Sequence, residues 1–77
     1  MVPMQRSVEG FCKILEGDIH NSAIPTGMYM GSGLANAPVA SWLYYIVMRH
    51  NVNYCKILAF DFFSNTTWVT YCNNGTW

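Results

Sequence analysis

Apolar residues near the start of the chain recur at the spacing of one face of an α-helix. The residues of this stripe are separated by four, three, three and one positions, and they are Met4, Val8, Phe11, Ile14 and Leu15. Charged residues fall on the complementary face, as they do in amphipathic helices at a protein surface. The pattern predicts a helix over residues 4–16, followed by Gly17, which readily takes the left-handed conformation beyond a last helical turn.

The middle of the chain is apolar without a clear period. No charged side chain lies within residues 21–48, and residues 39–48 are apolar on every side except for Ser41. Asn36 and Pro38 favour a helix start, because asparagine can accept the first free amide hydrogens and proline has no hydrogen that needs a partner there. We therefore predict a second, apolar helix over residues 39–48. A strand is the alternative, since the aromatic and β-branched residues of this segment also favour strands.

The C-terminal third of the chain alternates in the manner of β-strands. Residues 54–63 place apolar side chains on both faces of such a strand, a pattern typical of a central strand with neighbours on either side. Residues 64–66 have the composition of a turn, and residues 67–72 alternate again. We therefore predict a C-terminal antiparallel β-hairpin or meander. Together with the two helices, this gives an α+β fold in a single small domain of residues 1–77.

Asp61 interrupts the apolar pattern of the predicted central strand. A buried carboxylate is costly unless it is paired, so a central strand predicts Arg49 or Lys56 as its partner. If the strand instead lies at a sheet edge, an inward charge would discourage unwanted strand pairing. Both interpretations give Asp61 a structural role, and the alternative is a polar hot spot in an interface.

Composition adds that the chain has few charges for so much apolar surface. Of its 77 residues, 52% are apolar, 16% are aromatic and 10% are charged, and the formal net charge is zero. A domain of this size buries only about 60% of the surface that its unfolded chain exposes. Interfaces favour aromatic residues and methionine and contain few charges. We therefore expect part of the surface to meet a second copy in a homodimer, and also a larger protein partner.

The predicted function is that of a small non-enzymatic protein-binding module. We expect it to inhibit or modulate a larger protein, in the manner of accessory proteins that phages and mobile elements encode. Aromatic and methionine residues in loops or near the ends of elements are the predicted contacts, because they are best placed to protrude. The predicted partner-binding residues are Met28, Tyr29, Met30, Trp42, Tyr45, Trp68 and Trp77.

A glycine-containing turn supports an alternative function. Gly31, Ser32 and Gly33 precede Asn36 and the predicted apolar helix, and such a turn can present backbone amide hydrogens to an anion. The spacing is not that of a dinucleotide-binding or P-loop motif. The alternative is a dimeric binder that sequesters a small anionic or nucleotide-like ligand.

Other classes of function have little support in the sequence. No nucleophile, base and orienting group occur in a recognisable arrangement, so we expect no catalytic residues and no enzymatic activity. The three cysteines and two histidines lack the paired spacing of structural zinc sites, and we expect neither a metal nor a cofactor. Four basic residues balance four acidic ones along the chain, which argues against nucleic-acid binding.

The sequence also favours a cytoplasmic location. The apolar stretch over residues 34–48 is shorter than the roughly twenty residues of a membrane-spanning helix, so we do not expect membrane insertion. The first seven residues lack the apolar core of a secretory signal. An odd number of cysteines without CxxC spacing suits reduced thiols in a reducing compartment.

Overall fold

Five strands form one β-sheet in the computed structural model, which describes residues 10–77. Their bounds are Lys13–Ile14 for β1, Gly27–Gly31 for β2, Leu43–Asn51 for β3, Tyr54–Asp61 for β4 and Thr67–Asn73 for β5. The strands lie side by side in chain order. β1 runs parallel to β2, and β2 to β5 form an antiparallel meander. The described part of the chain contains no helix, so the predicted α+β class is wrong and the fold is all-β.

The predicted helix over residues 39–48 is a strand from Leu43 onward. Leu43, Tyr45 and Val47 point into the core and are at most 1% exposed, whereas Tyr44 and Met48 lie on the other face of β3. With β2 and β4 available as neighbours on either side, a two-residue period suits this segment better than a helix.

The residue expected to start that helix has a different conformation. Asn36 has a φ of 65°, in the left-handed region, whereas a helix N-cap residue has an extended backbone. No helix follows it, and residues 38–42 form bends and irregular structure. The strand alternative for this part of the chain is therefore correct from Leu43 onward.

The predicted N-terminal helix is also wrong where it can be compared with the structure. Residues 4–9 lie outside the described residues, and within residues 10–16 the chain forms β1 instead of a helix. The Leu15 N–H donates to the Met30 carbonyl oxygen at 2.7 Å, which continues the parallel pairing of β1 with β2. Ile14, a member of the supposed apolar stripe, is 61% exposed. The helical spacing therefore does not mark a buried face here.

Gly31 allows the β1 segment to approach β2 this closely. A Cβ atom at Gly31 would collide with the backbone carbonyl oxygen of Leu15, a rigid group that cannot turn aside. Glycine is thus required at this position by close backbone packing rather than by flexibility.

The core lies on one side of the sheet, which we call the core face. Two loops cover it, since Ile19 and Ile24 come from the β1–β2 connection and Leu34 from the β2–β3 connection. Beneath them lie the inward side chains of the strands: Tyr29, Leu43, Tyr45, Val47, Cys55, Ile57, Ala59 and Cys72. The predicted pair of C-terminal strands is confirmed as β4 and β5. None of the described residues belongs to a helix of the length and hydrophobicity needed to span a membrane.

Candidate functional site

The side of the sheet opposite the core is covered by no other element of the described chain, and we call it the open face. Directly opposed residues of antiparallel strands share a face, so the strand register defines its members. The central row is apolar throughout: Met28, Ile46, Leu58 and Val69. Two flanking rows lie beside it: Ile14, Met30, Tyr44, Phe60 and Thr67 on one side, and Met48, Lys56 and Tyr71 on the other.

The open face exposes several large apolar side chains next to one another. Six of them are between 39% and 64% exposed: Ile14, Met28, Tyr44, Met48, Val69 and Tyr71. The largest apolar patch of a soluble monomer is typically about 300–600 Å² and is often functional. The open face is therefore the candidate binding surface among the described residues.

Aromatic side chains extend this surface beyond one end of the strands. Phe62 stacks on Tyr44 with ring centroids 5.1 Å apart, and Phe63 meets Phe62 edge-on at 4.9 Å. Phe63 is 77% exposed. These rings lie at the end of β4 and add aromatic area, which interfaces use for affinity.

Among the described residues, Lys56 is the one charged residue in the rows of the open face. It lies on β4 opposite Met48 on one side and Tyr71 on the other, and it is exposed. The open face contains no carboxylate. A partner that covers this surface must therefore leave the Lys56 ammonium in water or supply an acidic group for it.

The structure places the predicted contact residues on different sides of the sheet. Met28 and Met30 lie on the open face, opposite Ile46 and Tyr44. Tyr29 and Tyr45 lie beneath the loops of the core face and are 5% and 1% exposed. The surface described here therefore does not include the two tyrosines.

The three tryptophans lie outside the rows that define the open face, although Trp42 is directly opposite Phe62 at the margin of this face. Trp42 is partly exposed just before β3, where its carbonyl oxygen accepts a hydrogen bond from the Phe62 N–H at 3.3 Å. Trp68 is half-buried and packs against the core. Trp77 stacks on His20, with ring centroids 4.0 Å apart and planes 3° from parallel. The tryptophans are thus distributed rather than brought together.

The residues of the predicted ligand turn have different surroundings in the structure. Gly31 ends β2 and is buried, while Ser32 and Gly33 are exposed in the turn that follows. The Asn36 side-chain amide donates to Asp18 Oδ1 at 2.9 Å. This hydrogen bond, helped by one from the His20 N–H at 2.8 Å, lowers the pKa of Asp18. An ionised carboxylate therefore lies beside Asn36, which opposes the binding of an anion there.

A cavity of about 250 Å³ opens on the core face next to β5. Its walls include Ile19, Asn36 and Pro38 from the loops and Trp68 and Thr70 from β5. The lining is mainly apolar. The edge strand β5 and both covering loops therefore border one common opening.

Tyr45 also borders this cavity and has an unusual hydroxyl group. The hydroxyl is buried and has no hydrogen-bond partner among the described residues. Burial raises the pKa of Tyr45, so the phenol stays protonated at neutral pH. A buried hydroxyl without a hydrogen bond lowers the stability of the fold, and no described residue supplies that bond.

Two of the three cysteines face each other across the last two strands. Cys55 on β4 is directly opposite Cys72 on β5, and both are buried with free thiols. Burial raises the pKa of Cys55, the nearby Arg49 lowers it and Cys72 raises it. No group of three or more His, Cys, Asp or Glu side chains within residues 10–77 is arranged to hold a metal ion.

Comparisons with protein-family models, with curated proteins and with solved structures found no match to this chain.

Proposed function

We propose that the chain is a non-enzymatic protein-binding module that holds a larger protein against its open face. The observation that supports this proposal is the exposed apolar sheet surface with a single cation. Protein layers normally cover both sides of such a sheet, or leave one side polar. Here the second layer comes from the partner. Because the proposed module binds its partner without catalysing a reaction, we expect it to inhibit or modulate that partner.

Charge favours a different protein over a second copy on this face. Two open faces packed together would bring two Lys56 cations into one interface without a carboxylate on either face. A partner with apolar side chains and one Asp or Glu opposite Lys56 would cover the apolar rows and pair with the Lys56 ammonium. An amphipathic helix with an acidic residue at the margin of its apolar stripe has these features, and helices pack well on sheets.

Photo-crosslinking can identify this partner. A photoreactive amino acid at position 28 or 44 is expected to cross-link one protein in the native host, at a segment that contains an acidic residue. Position 52 is the control, because Val52 is 62% exposed in the β3–β4 turn but lies off the open face. Cross-linking of the same protein from position 52 but not from 28 or 44 would contradict the proposal.

Affinity for the purified partner then tests the role of the open face. Met28→Lys and Tyr44→Lys are each expected to weaken binding by about 10- to 100-fold in calorimetry, since removing a central contact costs about 1–3 kcal/mol. Lys56→Glu should weaken binding more than Lys56→Gln, because it places two like charges together. Val52→Lys should have no effect. Equal binding by Lys56→Glu and the unmodified chain would contradict the acidic contact.

The alternative of a binder for a small anionic or nucleotide-like ligand has less support. No helix starts after Gly33, so the turn does not have the amide array of a helix N-terminus. The Asp18 carboxylate beside Asn36 would repel an anion. We therefore do not assign this function.

We also propose that the protein acts in the cytoplasm, where thiols stay reduced. Directly opposed residues of antiparallel strands have Cα atoms about 4.5–5.5 Å apart, within the range that a disulfide can bridge. Cys55 and Cys72 are such a pair, and an oxidising compartment would cross-link them. Rapid alkylation of the protein in denaturant, straight from cells, should modify both thiols. A Cys55–Cys72 disulfide in the mass spectrum would contradict the proposed location.

A further inference from the structure

The two edges of the sheet differ in how well they are protected. β1 forms one edge, has only two residues and includes the charged Lys13. β5 forms the other edge over Thr67–Asn73, with neither a charged residue nor a proline. Natural sheets usually protect a long edge with charges, proline, bulges or a covering segment, because a free edge pairs with other strands. Within residues 10–77, none of these devices protects most of the length of β5.

The strand register shows which backbone groups of β5 are free. The Asp61 N–H donates to the Thr66 carbonyl oxygen at 2.9 Å, which fixes the phase of the β4–β5 ladder. Hydrogen-bonded and non-hydrogen-bonded pairs alternate in antiparallel sheets. The backbone groups of Thr67, Val69 and Tyr71 therefore point away from β4 and towards solvent.

The C-terminal turn covers the next position of the edge. The Asn73 N–H donates to the Thr76 carbonyl oxygen at 2.8 Å, and the Thr76 N–H donates back to Asn73 at 3.1 Å. The free edge therefore runs from Thr67 to Tyr71 and is centred on Val69.

We propose that a second copy of the chain pairs with this edge, β5 against β5 in antiparallel orientation, about a two-fold axis at Val69. The free edge is self-complementary in this register. Val69 faces Val69 of the second copy, and Thr67 and Tyr71 face each other across both ends. Three such pairs form about six backbone hydrogen bonds. A closed two-fold contact of this kind uses the same patch on both subunits.

Side chains on the core face favour a second copy over an extended peptide. In the proposed register, Trp68 of one copy lies opposite Thr70 of the other. Thr70 lines the cavity of about 250 Å³ that also involves Asn36 and Pro38, so the indole of each copy lies beside the cavity of the other. The half-buried Trp68 thus gains a second apolar contact. A peptide without tryptophan at the matching position would leave this space empty.

The proposed dimer also affects the open face. The axis is perpendicular to the sheet, so both open faces lie on the same side of one ten-stranded sheet, five strands from each copy. Val69 and Tyr71 of both copies meet at the centre of this combined surface. The dimer therefore leaves the two Lys56 residues exposed, unlike a contact between the open faces.

Val69→Pro tests the pairing with little change inside the subunit. The Val69 N–H points away from β4, so proline removes a hydrogen bond of the dimer and none of the β4–β5 ladder. Light scattering of the unmodified chain should give twice the mass of the 8.7 kDa chain at high concentration. Val69→Pro should give the monomer mass, and Val69→Thr, which keeps the N–H, should remain dimeric. Circular dichroism establishes that each variant is folded.

A cysteine at the axis gives a second measurement that does not depend on the proline variant. In a Cys12→Ser background, Val69→Cys should form an intermolecular disulfide under mild oxidation, because the two Cα atoms would be about 5.5 Å apart. Met28→Cys, on β2 and remote from the axis, should not. A monomer mass at every concentration, or a Val69→Cys chain that does not cross-link, would overturn the proposal. Loss of the dimer in Tyr44→Lys but not in Val69→Pro would place the contact on the open face instead.

Discussion

Replacement of Arg49 by alanine is expected to lower the free energy of unfolding by about 3 kcal/mol. A hydrogen bond from a charged donor contributes about 1.5–3 kcal/mol, and the Arg49 guanidinium makes several such bonds. The guanidinium Nε donates to the Ile24 carbonyl oxygen at 2.6 Å. Its two terminal nitrogens donate to the carbonyl oxygens of Asn51 and Asn21, both at 3.3 Å. One side chain thus joins β3 to the loop that covers the core.

The backbone of Arg49 strengthens the same junction. Its N–H donates to the Thr26 hydroxyl oxygen at 2.8 Å, and that hydroxyl donates to the Arg49 carbonyl oxygen at 3.2 Å. Ile24, two residues before Thr26, is buried in the core. Loss of the guanidinium would free the loop at the point where it delivers this apolar side chain.

Urea unfolding with two control variants tests the role of Arg49. Arg49→Lys keeps the charge but not the three-way geometry, so it should recover less than half of the lost stability. Lys56→Ala removes an exposed charge and should change stability by less than about 0.5 kcal/mol. If Arg49→Ala is as stable as Lys56→Ala, the guanidinium does not hold the loop.

Arg49 also shows why charge pairing could not be predicted from the sequence. Arg49 or Lys56 was the expected partner of Asp61, but Asp61 lies opposite Leu43, at the other end of β3 from Arg49. The Asp61 carboxylate instead accepts a hydrogen bond from the Ser64 hydroxyl at 2.6 Å. Which residues meet across a sheet depends on the strand register, and the register is set by turns and packing outside the local pattern.

Predictability differed between strands for a physical reason. β4 and β5 could be identified because a turn at residues 64–66 separates two alternating segments. β3 could not, because Tyr44, Ile46 and Met48 make its second face apolar, and Asn36 and Pro38 before it resemble a helix start. The first three of these residues lie on the open face. One of the features that concealed the strand therefore also forms the candidate site.

The candidate site was only partly accessible to sequence reasoning for the same reason. The excess of apolar residues over charges was visible in the composition, and the structure places a contiguous part of the exposed apolar residues on the open face. Met28 and Met30 were predicted as contacts because methionines in loops or near the ends of elements are placed to protrude. Leu58 and Val69 were not, since their alignment with Met28 depends on the pairing of four strands. Alternation within β4 was the one signal that could have suggested Leu58.

Tyr45→Phe is expected to stabilise the protein by about 1–2 kcal/mol, because it removes a buried hydroxyl that has no partner among the described residues. The phenyl ring keeps the packing of a side chain that is 1% exposed. Tyr29→Phe is the matched control on the neighbouring strand. The Tyr29 hydroxyl donates to the Pro25 carbonyl oxygen at 2.7 Å, so its removal should destabilise the protein by about 1 kcal/mol.

We expect the free energy of unfolding to rise in Tyr45→Phe and to fall in Tyr29→Phe. Because the two side chains are almost equally buried, this difference would show the effect of the hydrogen bond that only the Tyr29 hydroxyl makes. Chemical denaturation of both variants at neutral pH measures this difference, since both phenols are protonated there. A loss of stability in Tyr45→Phe as large as that in Tyr29→Phe would mean that the Tyr45 hydroxyl has a hydrogen-bond partner in solution. The cavity beside Tyr45 would then be the place to look for that partner.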